Sequence, residues 1–172
     1  ARNRASYVEY RQRGTYPNKI ASVRKYSPDL SSIEWERDFT GFSSSFPGGI
    51  AVSDDSVFVV DRDLNRIQKF SLDGEFITTW GKKGTAEGQF FYPNGITLSN
   101  GLLYVVDTGN QRIQVFSTDG EFVSSFGSSG LGPGKFLNVS GIDADESGNI
   151  FVTDKGNGKI EKFSGDGKLL QS

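Results

Sequence analysis

From residue 47 onward, apolar and polar positions alternate with a period of two, in short runs separated by glycine, asparagine and aspartate. Such alternation is the mark of half-buried strands joined by tight turns. The clearest stretch is 95–126. Gly95 to Ser99 (GITLS) predicts a short first strand, closed by the turn signal Asn100-Gly101. Leu102 to Asp107 (LLYVVD) predicts a second, and Thr108-Gly109-Asn110 a turn. Arg112 to Ser117 (RIQVFS) is a third strand, Asp119-Gly120 a further turn, and Glu121 to Phe126 a fourth strand. A glycine-rich run from Gly127 to Phe136 then leads onward.

Most of these letters also stand 46 positions earlier. Pro93, Gly95 and Ile96 repeat Pro47, Gly49 and Ile50, and Asp107, Arg112 and Ile113 repeat Asp61, Arg66 and Ile67. Gly127, Gly130, Gly134 and Phe136 repeat Gly81, Gly84, Gly88 and Phe90, while Phe126 replaces Trp80. A fixed period means one supersecondary unit copied along the chain. A four-stranded meander cannot bury both faces alone, so its copies must stack, and radial stacking gives a β-propeller. The expected fold is therefore all-β, a propeller of about three and a half blades: 19–46 (partial), 47–90, 91–136 and 137–172. Meanders are expected near 48–82, 94–128 and 140–172. The last unit slips by one residue at 143–149, after which Asp154, Lys159, Ile160 and Phe163 return at an offset of 47. In the first unit Val23 and Tyr26 stand for Ile67 and Phe70, but no first strand is recognisable. Residues 1–18 are read as a basic arm or a partial strand, since Tyr7 to Tyr10 alternates. Ile50, Val59, Ile67, Phe70, Ile96, Val105, Ile113, Phe116, Ile142, Val152, Ile160 and Phe163 are expected to be buried.

The pattern P-x-G-I, then VVDTGNQRIQVF, then D-G-E-F, F-G and G-x-F resembles the NHL repeat. The resemblance covers 46–136 and 137–170, and more weakly 20–45. It implies a propeller, often of six blades, and labels a fold more than a function.

Composition narrows the chemistry. The 172 residues include no cysteine, which excludes disulfides and thiolate catalysis, and no histidine, which removes the commonest general base and metal ligand. No apolar run is long enough for a membrane span. The net charge of −2 hides an asymmetry: residues 1–30 carry +5 and the remainder −7. A basic arm on an acidic body suits an acidic partner or nucleic acid, although solvated edge charges also discourage aggregation.

Three features could carry chemistry. Asp61/Arg66, Asp107/Arg112 and Asp154/Lys159 recur in every unit. A cation-binding ring is one reading. The structural one is preferred, because a site is seldom built once per repeat: each carboxylate would accept backbone N–H groups of its turn and pair with the neighbouring cation. Asp143, Asp145, Ser147 and Asp154 resemble the front of a calcium loop, with Gly148 at the sixth place. Against calcium stand the short last ligand, the lack of flanking helices and a hairpin-turn setting, so no cofactor or metal is expected. The glycine runs 81–88 and 127–134 precede no helix and read as connectors rather than phosphate loops, and Trp80 and Phe126 as wedges between sheets.

No nucleophile stands beside a base, so the sequence points away from an enzyme. The leading expectation is an interaction scaffold that presents its loops to a protein partner or a surface polymer. The turns between second and third strands offer Arg62, Asp63, Asn65, Asn110, Gln111, Lys155 and Asn157. The inter-blade connectors offer Lys82, Lys83, Tyr92, Asn94 and Lys135, and both sets are expected on one face, polar and mixed in charge. RNA binding through that face and the arm is an alternative, weakened by the acidic body. A structural subunit of a larger assembly or surface layer is another. The chain is not expected to close a ring alone. A longer natural chain or a partner would cover its end blades, with self-association a third route and a four-bladed ring the rival.

Overall fold

The computed structural model describes residues 8–13, 20–27, 29–38 and 47–172. Its first sheet holds β1 (Val8–Arg13), β2 (Ile20–Tyr26) and β3 (Ile33–Asp38). The second blade is β4 (Pro47–Val52), β5 (Ser56–Asp61), β6 (Arg66–Ser71) and β7 (Phe76–Trp80). The third is β8 (Pro93–Ser99), β9 (Leu102–Asp107), β10 (Arg112–Ser117) and β11 (Phe122–Phe126). Two-residue strands β12 (Ser128–Ser129) and β13 (Lys135–Phe136) pair in parallel within the next connector. The fourth blade is β14 (Val139–Ala144), β15 (Ile150–Asp154), β16 (Lys159–Phe163) and β17 (Leu169–Gln171). Each blade is an antiparallel meander in chain order, within two residues of the expected spans. The one helical element among the described residues is a 3-10 turn at Thr108–Asn110.

The first sheet shows why its sequence reads as degenerate. Val8 lies opposite Lys25 and Tyr10 opposite Val23, as Phe58 lies opposite Lys69 and Val60 opposite Ile67. β1 therefore takes the second-strand place, and no strand holds the innermost place among the described residues. The residues before β1 and those joining it to β2, with Tyr7, Tyr16 and Lys19, lie outside the described residues, as does Phe46.

Alternation along each strand gives every blade a front and a rear apolar face. Phe58, Val60 and Ile67 of the second blade pack on Ile96, Leu103, Val105 and Phe116 of the third, with Phe90 between them. One unit later Tyr104, Val106, Ile113 and Val115 pack on Val139, Ile150, Val152 and Phe163, now with Phe136. The same interface is thus built twice from the same register. Each large side chain removed from water contributes about 1.5–3 kcal/mol, so these two layers dominate the stability. On the inner side β8 packs against both β4 and β14. There the approach is close enough that a Cβ on Gly95 would stand 2.8 Å from the Ser140 carbonyl oxygen.

The outer edge is held by wedges. The Trp80 ring covers Gly120 of the next blade's outer turn, and Phe126 covers Gly167. Trp35 covers Gly74 in the same way and donates its indole N–H to the Leu72 carbonyl at 2.7 Å. These turn glycines have φ of +80°, +89° and +85°, and a Cβ on any of them would meet the ring at 2.7–2.8 Å. Glycine is required twice over, by the left-handed backbone and by the ring.

Most of the expected core is buried, with Ile50 and Ile142 partly so, but Ile160 is 63% exposed. It occupies the place of Ile67 and Ile113, both at 0%. The difference is positional: among the described residues no blade packs on the front face of the fourth, and Phe151 and Thr153 share that flank. No strand of the first sheet packs on the fourth blade as β8 packs on its neighbours. The described residues form an open arc of a β-propeller.

This gives a paired prediction. Ile113→Ala should cost about 2–5 kcal/mol in urea unfolding, through lost transfer energy and a residual cavity. Ile160→Ala, the same letter of the repeat, should change stability by no more than about 0.5 kcal/mol. Equal costs would mean that the fourth flank is covered in solution.

Candidate functional site: a basic and aromatic loop end

In an antiparallel meander the turn between second and third strands opens on the same end as the connector to the next blade. A buried aspartate ties the two together. Asp107 is fully buried; its Oδ1 accepts the Phe91 N–H at 2.8 Å. Its Oδ2 accepts from Asn110 Nδ2 (2.8 Å), Arg112 Nε (2.8 Å) and Gln114 Nε2 (3.1 Å). Asp61 takes Arg66 Nε at 2.9 Å and Gln68 Nε2 at 3.0 Å. A buried carboxylate is tolerated when paired and hydrogen-bonded: Asp107 is hydrogen-bonded on both oxygens, whereas Asp61 is on Oδ2 alone and its Oδ1 is buried without a partner.

The fourth blade departs from this plan, and the expected Asp154/Lys159 pair is not formed. Asp154 instead takes backbone N–H groups from Leu137 (3.0 Å), Asn138 (2.8 Å) and Gly156 (3.1 Å), with Asn157 Nδ2 at 2.7 Å. Burial would push its carboxyl up, but these N–H donors outweigh burial and hold it below the usual range. Lys159 turns to Glu161 Oε1, at 3.0 Å, and to the Gly132 carbonyl. Glu161 stands where Gln68 and Gln114 stand. In the third blade Gln114 Nε2 donates to the Gln89 carbonyl at 2.7 Å as well as to Asp107. A glutamate has no such donor, and Glu161 Oε2 is buried without a partner.

All twelve residues expected on the loop face lie at this end, but they divide into two groups. Five amides face inward. Asn65 is buried, donating to the Asp63 carbonyl (3.0 Å) and accepting the Tyr92 N–H (2.8 Å). Asn94 bonds the Ser140 carbonyl (3.1 Å), and Asn110 the Gly84 carbonyl (2.9 Å). Gln111 donates to the Thr108 carbonyl and accepts from Val139 N–H at 3.4 Å. Asn157 reaches the Gly130 and Lys135 carbonyls. Asn65 and Gln111 thus latch one blade to the next from a left-handed position, φ 55° and 53°. Gly158 holds that position in the fourth blade and offers no acceptor; a shallow cleft lined by Thr153, Lys155 and Gly158 opens beside it.

The second group is exposed: Arg62, Lys82, Lys83, Tyr92, Lys135 and Lys155, with Asp63 half-buried beside Arg62. The face is not evenly mixed in charge. The turns at the opposite end carry exposed Asp54, Asp55, Asp73, Glu75, Asp119, Glu121, Glu146 and Asp166. Apart from exposed Glu87 on the Lys82–Lys83 connector and exposed Lys168 in the last outer turn, the fold segregates charge, basic at the loop end and acidic at the other, which a count along the chain conceals.

Within the basic end, sequence reasoning missed Phe91. Its ring meets Tyr92 at a tilt of 47° with centroids 4.7 Å apart, and Lys83 Nζ lies 5.3 Å from the Phe91 centroid. The Arg62 guanidinium lies 6.0 Å from the Tyr92 centroid. Tyr92 is 44% exposed and has φ +49°, uncommon outside glycine. The available signal was the departure from the repeat: the next unit has Leu137-Asn138 where this one has Phe91-Tyr92.

The calcium reading fails. Asp145 accepts N–H groups of Ser147 and Asn149 (both 2.9 Å) and the Asn149 amide, closing its own turn. Asp154 sits at the far end of β15, so the four residues do not converge, and no cluster of three acidic residues suited to a metal exists among the described residues.

Comparisons agree with the architecture. A family model described as DUF5128, 6-bladed beta-propeller, matches residues 93–172, the third and fourth blades. No curated protein matches the sequence. Among solved structures, virginiamycin B lyase from Staphylococcus aureus is similar at 19% identity and a TM-score of 0.67, covering 100% of this chain and 56% of the lyase. A catalytically inactive variant of that lyase, with a histidine replaced by alanine and with quinupristin, gives 20% identity and 0.67 over 99% and 56%. The nidogen/laminin complex gives 22% and 0.64, covering 97% of this chain and 62% of that one. The chain spans little more than half of these relatives, and the shared property is the propeller fold.

Two predictions follow from the carboxylates. Glu161→Gln restores the amide of the other blades and should raise stability by about 1 kcal/mol, read from the urea midpoint, because a donor replaces an orphaned oxygen. A loss of that size would instead give the Lys159 pair the larger weight. Asp154 is held low, as are the turn carboxyls of Asp55, Asp145 and Asp166, while Asp29 lies at about 2 under the Ser27 hydroxyl and Ser31 donors. Their contribution is complete above the unfolded carboxylate value of about 3.9 and is lost as pH falls through the lower folded values. Urea midpoints should therefore fall between about pH 4 and pH 2, and less steeply in Asp154→Asn.

Proposed function

We propose that this chain is a non-catalytic interaction scaffold whose loop end docks a protein partner, and that its repeat is of the NHL kind. The observation that carries this reading is the division of the loop end. Its amides are engaged inside the fold, while five cations (Arg62, Lys82, Lys83, Lys135 and Lys155) remain exposed beside an exposed tyrosine. An exposed tyrosine and arginine on a rigid scaffold are residue types enriched in recognition surfaces, and the lysines beside them supply charge complementarity. The likeness to a nidogen/laminin complex, itself a pairing of proteins, supports the same direction. Catalysis is not part of the proposal. The lyase variant described as inactive lacks a histidine, and this chain contains none. RNA is the second reading, favoured by the same five cations.

Affinity capture from the native source should recover a partner with the parent chain and with an acidic-end variant (Asp54→Asn, Asp73→Asn, Asp119→Asn). The loop-end variant, with all five cations changed to Gln, should lose it. A partner held equally by both variants would place recognition elsewhere.

A further inference from the structure

We infer that Arg62 and Lys83, held over the adjoining Tyr92 and Phe91 rings, form a docking site for an acidic extended segment of a protein partner. This rests on the reading of the loop end as the interaction face and assigns that face its chemistry. Neither cation has a carboxylate partner among the described residues, whereas Arg66, Arg112 and Lys159 at the same end are each paired. Cation–π contact limits where the two charges sit without neutralising them. The site is therefore a pair of positioned positive charges, with Lys82 on the same connector and exposed.

The geometry also selects the kind of anion. Single-stranded nucleic acid is gripped by stacking bases on open aromatic faces. Here Lys83 and Arg62 lie over the rings, and Phe91 and Tyr92 meet at a tilt of 47°, so they form no flat pair of platforms for successive bases. What this offers a ligand is two positioned charges beside a partly exposed tyrosine, which suits carboxylates on a short segment. Charge segregation favours the same occupant. With charges screened over a Debye length of about 8 Å, an acidic segment docked at this end feels its cations rather than the acidic turns at the other. Local departures agree: Tyr92 keeps a left-handed backbone, fixed by its N–H bond to Asn65, and Gly109 leaves room for Phe91, whose carbonyl its own N–H reaches at 2.7 Å.

The test is fluorescence anisotropy on the full chain with three labelled probes: a dodecapeptide of alternating Glu and Ser, its Gln/Ser counterpart, and a twelve-nucleotide oligouridylate. The Glu peptide should bind at least tenfold more tightly than the other two, and added salt should weaken it. Arg62→Gln with Lys83→Gln should reduce its affinity about tenfold or more, Tyr92→Leu by a smaller factor, and Lys168→Gln not at all. Unchanged thermal midpoints in these surface variants show that folding is not the cause. Equal peptide binding by parent and double variant, tighter RNA binding, or salt-sensitive dimers of the chain alone would each overturn the inference. If the peptide fails while the five-cation variant still loses its captured partner, only the acidic-segment site falls; if capture also survives those substitutions, the scaffold reading falls with it.

Discussion

Everything at the loop end depends on a carboxylate taken out of water. An aspartate closing the second strand of a blade must be paired there, because an unpaired buried charge costs several kcal/mol, and Asp61 is paired through Oδ2 alone. Asp107 is paired from three directions: the connector that enters its blade, the turn that follows it and the third strand. Satisfying one side chain thus fixes three segments at once, including the Phe91 backbone that carries the aromatic ridge. Asp154 does the same work with backbone donors. That freed the neighbouring positions to become Lys159 and Glu161, at the cost of one orphaned oxygen.

The second constraint is that a four-stranded sheet has two apolar faces. Consecutive blades meet this by covering one another, and the copied interfaces around Phe90 and Phe136 show the same solution twice. The fourth blade presents a further copy of that front face with no described residues packed on it, and Ile160 records the difference. The proposed recognition site lies between the second and third blades, on the best covered part of the arc. Its geometry does not depend on what covers the fourth flank.

The strands, their order and most of the core were legible in the sequence because they rest on periodicity. Alternation assigns the face of Val105 or Phe116 without reference to any distant residue, and the 46-residue register carries that assignment from blade to blade. The paired Asp107/Arg112 was legible for the same reason: both belong to one hairpin. At Asp154 the expected backbone N–H bonds form but the pairing with Lys159 does not: repetition of a position was taken for repetition of a contact. A lysine ammonium cannot copy an arginine fork, and the glutamate two residues on offered it a stronger partner.

The sequence by itself determined that the chain is a stack of β-meanders and where each turn falls, since local pattern and glycine placement decide these. Only the tertiary structure decided which polar residues remain free. Asn65, Asn94, Asn110, Gln111 and Asn157 look like surface amides in the sequence, yet each finds backbone groups of a connector or neighbouring strand that lie 2 to 46 residues away. The segregation of charge was hidden likewise, because acidic and basic residues alternate along the chain while antiparallel folding sends successive turns to opposite ends. A property that depends on which turns share an end belongs to the assembled sheet, and no single stretch of sequence contains it.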